Sequence, residues 1–97
     1  MQALKTVEAC QRGLEENPDC LLAFSAQWCG PCKRLKPFLE KVTELQVLYV
    51  DVDDVPEFAE EFDVKSIPTV ILIRDNEVIT QTTGCTPKKL LDIVREY

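Results

Sequence analysis

The sequence predicts an α/β domain, with a central mixed β-sheet of four to five strands flanked by four helices. Three observations carry that prediction. Apolar positions at helical spacing alternate with short apolar runs of strand length along the whole chain. The run Val47 to Asp53 is rich in β-branched residues, as a strand covered on both faces must be. Thr69 to Arg74 and Glu77 to Thr82 are separated only by Asp75-Asn76, the composition of a tight hairpin. With 97 residues, no internal repeat and no Pro/Gly/Ser-rich linker, residues 1–97 are expected to form a single domain. A chain of this size buries roughly 60–70% of its unfolded surface, enough for a core without a metal.

Each element has a local reason. A short strand fits around Ala3 to Thr6, and Val7, Cys10 and Leu14 then recur at helical spacing until Asn17-Pro18-Asp19 breaks the pattern as a turn. Cys20 to Ala26 is apolar and of strand length. From about Cys29 to Glu44 a helix is expected, with Leu35, Phe38, Leu39, Val42 and Leu45 as its stripe. Pro37 lies inside it and lacks the N–H that would bond the Lys33 carbonyl, so a kink is expected there. Pro56 opens a short helix in which Phe58 and Phe62 share a face. Gly84 ends the second hairpin strand. Thr86 and Pro87 start a last helix, with Leu90, Leu91, Val94 and Tyr97 expected inward. Strands 20–26 and 47–53 form a right-handed βαβ unit, and the hairpin adds antiparallel strands.

Composition excludes several functions. Eleven basic against 17 acidic residues give a net charge of −6, which repels phosphate backbones, so no nucleic acid partner is expected. The longest uncharged run, Cys20 to Cys32, is broken by Ser25, Gln27, Gly30 and Pro31 and falls short of the ~18–20 apolar residues of a membrane span. Lys5, Glu8, Arg12, Glu15 and Glu16 interrupt the first helix region, so no secretory leader is read there and a cytoplasmic location is expected. The absence of histidine removes the commonest general base and most zinc sites. No metal and no cofactor are expected, and the chain is expected to be a monomer. Five cysteines at uneven spacing suit reduced thiols better than a disulfide scaffold.

The chemistry lies in Cys29-Gly30-Pro31-Cys32, which follows a predicted strand and opens a predicted helix. The spacing alone is weak evidence, and the context strengthens it. Unpaired N–H groups and the macrodipole at a helix N-terminus favour the thiolate of Cys29. Lys33, Arg34, Lys36 and Lys41 add positive charge behind it, though part of that cluster is an ordinary solvated helix face. Pro31 limits the loop's freedom and holds Cys32 one turn inside. An exposed nucleophile at Cys29 beside a buried resolving thiol at Cys32 suits thiol–disulfide exchange.

Trp28-Cys29-Gly30-Pro31-Cys32-Lys33 is identical to the active-site motif of thioredoxins, and the sequence resembles that family along nearly its whole length. Pro37 matches the family's helix-kinking proline, Val50-Asp51-Val52-Asp53-Asp54 resembles its central strand, Ser66-Ile67-Pro68-Thr69 its cis-proline segment, and Gly84 its glycine after the last strand. The resemblance implies a thioredoxin fold whose two thiols cycle between dithiol and disulfide, reducing disulfide-containing proteins. It also implies reduction of the chain itself by a flavin-dependent, NADPH-fuelled thioredoxin reductase. Trp28 becomes a partly exposed wall beside the nucleophile, and Ile67, Pro68 and Gly84 border the substrate groove, with Ile67 and Pro68 offering backbone groups to an extended segment.

The departures matter as much. The strand before the motif, typically with Asp-Phe-Trp-Ala in thioredoxins, here reads Ala23-Phe24-Ser25-Ala26. Ala23 stands where the family keeps a buried carboxylate thought to accept the proton of the resolving cysteine. Tyr49 stands where many bacterial members carry a buried lysine. Losing both together is self-consistent, since an unpaired buried charge costs several kcal/mol. Resolution by Cys32 is therefore expected to proceed without a buried carboxylate, with water or the departing thiolate taking the proton. Asp51 and Asp53 share strand parity with Tyr49, so one of them is expected to approach the gap that Ala23 leaves.

Cys10 and Cys20 read as core thiols. Cys85, after Gly84 and before a helix start, is expected to be exposed near the groove, either a quiet surface thiol or a regulatory one. Three functions from different classes follow: a thiol–disulfide oxidoreductase working as a reductase, a thioredoxin-like binding or adaptor module with weak redox activity, and a metal or iron–sulfur site shared by two chains. The first is preferred. Both motif cysteines are intact, and the Gly-Pro dipeptide between them resembles the reducing members of the superfamily rather than the oxidising ones with a histidine.

Overall fold

Five strands bond into one sheet in the order β1-β3-β2-β4-β5. The elements of the computed structural model, which describes residues 1–97, are β1 (Gln2–Leu4), α1 (Val7–Glu16), β2 (Cys20–Ser25), α2 (Gly30–Glu40), β3 (Gln46–Asp51), α3 (Pro56–Glu61), β4 (Thr69–Arg74), β5 (Glu77–Thr83) and α4 (Pro87–Glu96). β1, β3 and β2 run parallel, and β4 and β5 add antiparallel. Parallel neighbours need a crossover, which α2 supplies between β2 and β3. The register pairs Ser25 with Asp51 and Phe24 with Thr69. One end of the sheet therefore gathers the chain after β2, the turn after β3 and the loop before β4.

Every residue of β2 is buried, because its two faces enter two cores. Leu22 and Phe24 join Leu48, Val50 and Ile71 under α1 and α3. Leu21 and Ala23 join Val70 and Leu72 under Leu35 and Leu39 of α2 and Leu90 and Ile93 of α4. Phe24 meets Phe58 and Phe62 at ring-centroid distances of 5.9 and 6.0 Å, and the latter two stack edge-on at 5.2 Å. Each such pair contributes about 0.5–1.5 kcal/mol beyond its burial. Asp75 and Asn76 take φ of 55° and 66°, the left-handed pair that a two-residue hairpin requires. No helix is long and apolar enough to cross a membrane.

Several boundaries and faces differ from expectation. α2 stops at Glu40, four residues short of Glu44, because the Lys41 N–H folds back to the Phe38 and Leu39 carbonyls. Leu45 still reaches the core, but from the loop. Phe38 is 47% exposed, since Leu35 and Leu39 already occupy the face turned to the sheet. β3 ends at Asp51 rather than Asp53, where the Asp51 carboxylate accepts the Asp53 N–H at 2.8 Å and turns the chain. In α4 the inward residues are Leu90 and Ile93, while Leu91 and Tyr97 are exposed. Leu91 falls off the stripe by one residue's rotation. Tyr97 lies past its end, where its hydroxyl donates to Asp19 Oδ2 at 3.3 Å.

Candidate active site

Cys29 is the N-cap of α2, with extended backbone (φ −89°, ψ 111°) and a sulfur that accepts the Cys32 N–H at 3.3 Å. Pro31 sits in the first turn, where its missing donor costs nothing and its φ suits the helix. A helix N-terminus presents donors with no carbonyl partner, and a sulfur placed among them is stabilised as an anion. Cys29 and Cys32 are joined as a disulfide, with Cα atoms 5.3 Å apart.

The pair is less open than expected. Cys29 is only 6% exposed and Cys32 2%, because Ala26 is buried beside them and Val52 and Ile67 pack on the same cluster. Cys29 nonetheless borders a groove of about 680 Å³ together with Trp28, Gly30 and Pro31, facing Val52 and Ile67. Cys32 does not line it. Trp28 is 69% exposed and held from behind, its indole N–H donating to Asp53 Oδ2 at 2.8 Å. Gly30 carries no steric demand, as an added Cβ would meet only Arg34 Nη1 at 3.7 Å.

The opposite wall comes from the loop before β4. The Ile67–Pro68 peptide bond is cis. Of the two residues expected to offer backbone groups to a substrate, Pro68 is buried and its carbonyl already accepts the Cys85 N–H at 3.1 Å, so Ile67 is left for that role. Gly84 lies beside this bond with φ +62°. Cys85 is a correction: only 3% of it is exposed, and it lies in the core beneath α4. The positive φ of Gly84 turns the chain so that the next side chain points inward. Burial pushes the Cys85 thiol up to about 11, with Lys89 opposing weakly. Burial likewise raises Cys10 and Cys20 to about 11, helped by Glu61 and by Asp19 respectively.

Beneath α2, Ala23 lies opposite Tyr49 in the β2–β3 ladder. The Tyr49 hydroxyl donates to Ser25 Oγ at 2.6 Å, and the Lys36 ammonium sits 5.5 Å from the Tyr49 ring centroid. A neutral hydroxyl pair thus occupies this layer. Sequence reading named both residues but not their bond, although their shared parity on adjacent strands was the available signal. Asp53 does not approach the gap, since it turns to Trp28. Lys33 is exposed on the side of α2 away from the groove. No cluster of three or more His, Cys, Asp or Glu side chains forms a metal site.

Two sulfurs that pair one helical turn apart, at an N-terminus and beside an open groove, are the equipment of a thiol–disulfide oxidoreductase. Comparison with known proteins narrows this. The Thioredoxin family model matches residues 3–96, and the chain belongs to the thioredoxin family. It is 42% identical over 83 residues to a thioredoxin of Mycobacterium tuberculosis, covering 80% of this chain and 72% of that one. It is 38% identical over 78 residues to a thioredoxin of Ophiophagus hannah, covering 76% and 74%. Among solved structures, Plasmodium falciparum thioredoxin superposes with a TM-score of 0.93 at 26% identity, covering 100% of this chain and 99% of that one. Thioredoxins act on disulfide substrates and are reduced by thioredoxin reductase, and the five-stranded sheet with four helices is the thioredoxin fold.

Proposed function

We propose that this chain is a cytoplasmic, monomeric carrier of reducing equivalents that serves cell redox homeostasis, with Cys29 as nucleophile and Cys32 as resolving thiol. The observation that carries the assignment is positional: Cys29 caps α2 and borders the groove, whereas Cys32 is one turn inside and away from it. In the reduced protein the Cys29 thiolate attacks a substrate disulfide held between Trp28 and Ile67. A mixed disulfide forms and one substrate sulfur leaves. Cys32 then attacks Cys29 Sγ, which releases the second substrate sulfur and leaves the chain oxidised, as in this structure. An NADPH- and flavin-dependent thioredoxin reductase returns two electrons. Lys33 and Gly84 flank the motif and the cis-proline loop without a chemical step of their own. Three free cysteines alongside the one disulfide support a reducing compartment.

The test is dithiothreitol-driven reduction of a disulfide-bonded protein, with NADPH oxidation through thioredoxin reductase as the second readout. Wild type accelerates both and Cys29→Ser neither. A wild-type rate equal to that of dithiothreitol alone refutes the proposal.

A further inference from the structure

The groove beside Cys29 has an apolar floor that includes Val52, Ala59, Val64 and Ile67. Only two charged residues line it, Glu60 from the last turn of α3 and Lys65 from the loop before β4. They do not pair with each other. Lys65 meets the Asp63 carboxylate at 3.6 Å, the one salt bridge in the chain, and Asp63 is not part of the lining. The Glu60 carboxylate therefore stands at the groove wall without a cation. Its placement follows from α3, where Phe58 and Ala59 are buried and the next residue is carried round to the exposed edge.

We propose that Glu60 selects substrates, so that the groove prefers disulfides whose flanking segment carries a lysine or arginine. This deepens the redox reading and rests on it. The occupant is an extended segment with an apolar residue beside its cysteine, set on Val52 and Ile67. A basic side chain further along the segment places its cation on the Glu60 carboxylate.

Charge complementarity decides between a basic and an acidic segment. The competing cation, Lys65, shares its charge with Asp63; at 83% exposure of both side chains the pair is weak, but it neutralises that point of the wall. The surrounding field has the sign of Glu60. No basic residue lies between Lys41 and Lys65, while Asp53, Asp54, Glu57 and Glu61 are exposed along the turn and helix that follow β3. Lys33 and Lys36 of α2 line a separate cavity and not the groove. An acidic segment would thus meet like charge. A charge at the rim of a binding site acts mainly on encounter, so the preference belongs in kcat/KM and in its salt dependence.

The experiment uses extended peptides of one sequence, each with a single cysteine in mixed disulfide with thionitrobenzoate. The peptides carry either lysine or glutamate at one of the positions flanking the cysteine. Reduced protein turns them over, and coloured thionitrobenzoate released in stopped flow gives the second-order rate. Both members of a pair meet the same Cys29, so their ratio is independent of how much thiolate it carries. At the position that reaches Glu60, the lysine peptide is expected to react about three- to tenfold faster, since attraction of one and repulsion of the other both count. The ratio should fall towards unity at about 1 M salt, where the screening length is about 3 Å. Glu60→Gln is expected to remove the preference, and Glu60→Lys to invert it. Glu61→Gln, which removes the same charge one residue on and outside the groove, is expected to keep the ratio within about twofold of wild type. Equal rates at every position, faster glutamate peptides, a preference that survives Glu60→Lys, or equal loss in Glu61→Gln overturns the selection alone. Absence of release from every peptide by wild type overturns the redox reading with it.

Discussion

Trp28 and Asp53 stand 25 residues apart in sequence, yet the Trp28 indole N–H donates to the Asp53 carboxylate at 2.8 Å. The bond is possible because β2 and β3 are parallel neighbours, so the chain leaving each reaches the same end of the sheet. It ties the residue before the redox pair to the turn after β3, and holds a 69% exposed ring against the groove. Asp53→Ala removes the acceptor. A charged acceptor in so open a place contributes about 0.5–1.5 kcal/mol, so folding should change little while substrate reduction falls severalfold. Trp28 is the only tryptophan and reports directly. Its fluorescence should shift in the variant, and an unchanged spectrum and rate would show that the ring is held by something else.

Tyr49 and Ser25 make a bond of the opposite kind, between neutral partners around a nearly buried oxygen. Ser25 is 3% exposed. Tyr49→Phe keeps the ring and the Lys36 contact but leaves the Ser25 hydroxyl without its partner, which costs about 1–3 kcal/mol. Adding Ser25→Ala removes the orphaned group, so the double variant should be more stable than the sum of the singles. Urea midpoints of the four proteins give the coupling. Strict additivity would mean the two hydroxyls do not interact in solution.

What could be read from sequence and what could not divides on physical lines. Strand positions, the two-residue hairpin and the short helix at Pro56 are set by local pattern, and all were legible. The Cys-Gly-Pro-Cys site was legible because its residues are contiguous, and the cis state of Pro68 came only with the family resemblance. Exposure was harder. Phe38 and Leu91 are apolar and close to a helical stripe, but only the placement of α2 and α4 over the sheet decides which of two adjacent rows faces inward. Cys85 was misread because one positive φ at Gly84 reverses which way the next side chain points. The expected parallel pairing of β2 and β3 already set Ala23 near Tyr49 with an aspartate of the same parity, but the register that puts Ser25 opposite Asp51 and the Tyr49 hydroxyl on Ser25 needed the folded sheet.

Gly13 illustrates a constraint that helical pattern hides. It lies inside α1, where alanine would ordinarily gain up to about 1 kcal/mol. An added Cβ, however, would stand 3.0 Å from Leu4 Cδ1 and 3.4 Å from Leu4 Cδ2, with Leu48 Cδ1 at 3.5 Å. Leu4 is 2% exposed and has little room to retreat. Overpacking of this kind costs about 1–3 kcal/mol, which exceeds the propensity gain. Gly13→Ala should therefore lower the urea midpoint, and the smaller Leu4→Val in the same chain should recover part of it. A stabilised Gly13→Ala protein would mean that β1 shifts outward more easily than its packing suggests.

The three cysteines outside the motif should behave as a buried set. Cys10, Cys20 and Cys85 keep their protons in the folded protein to about 11, against an ordinary value of 9.0. The unfolded chain releases them near the lower value, so between pH 9 and 11 it binds fewer protons than the native state. Stability is then lost as pH rises through that window and is fully present below it. The informative quantity is the difference between wild type and Cys85→Ala, which isolates this thiol. That difference should be largest at pH 8, where the native thiol contributes in full, and should shrink by pH 11. Alkylation gives a second reading at pH 8: iodoacetamide should modify the reduced protein at Cys29 first and reach Cys85 only when urea opens the core. A stability difference constant with pH, or ready labelling of Cys85 in the native protein, would place that thiol at the surface after all.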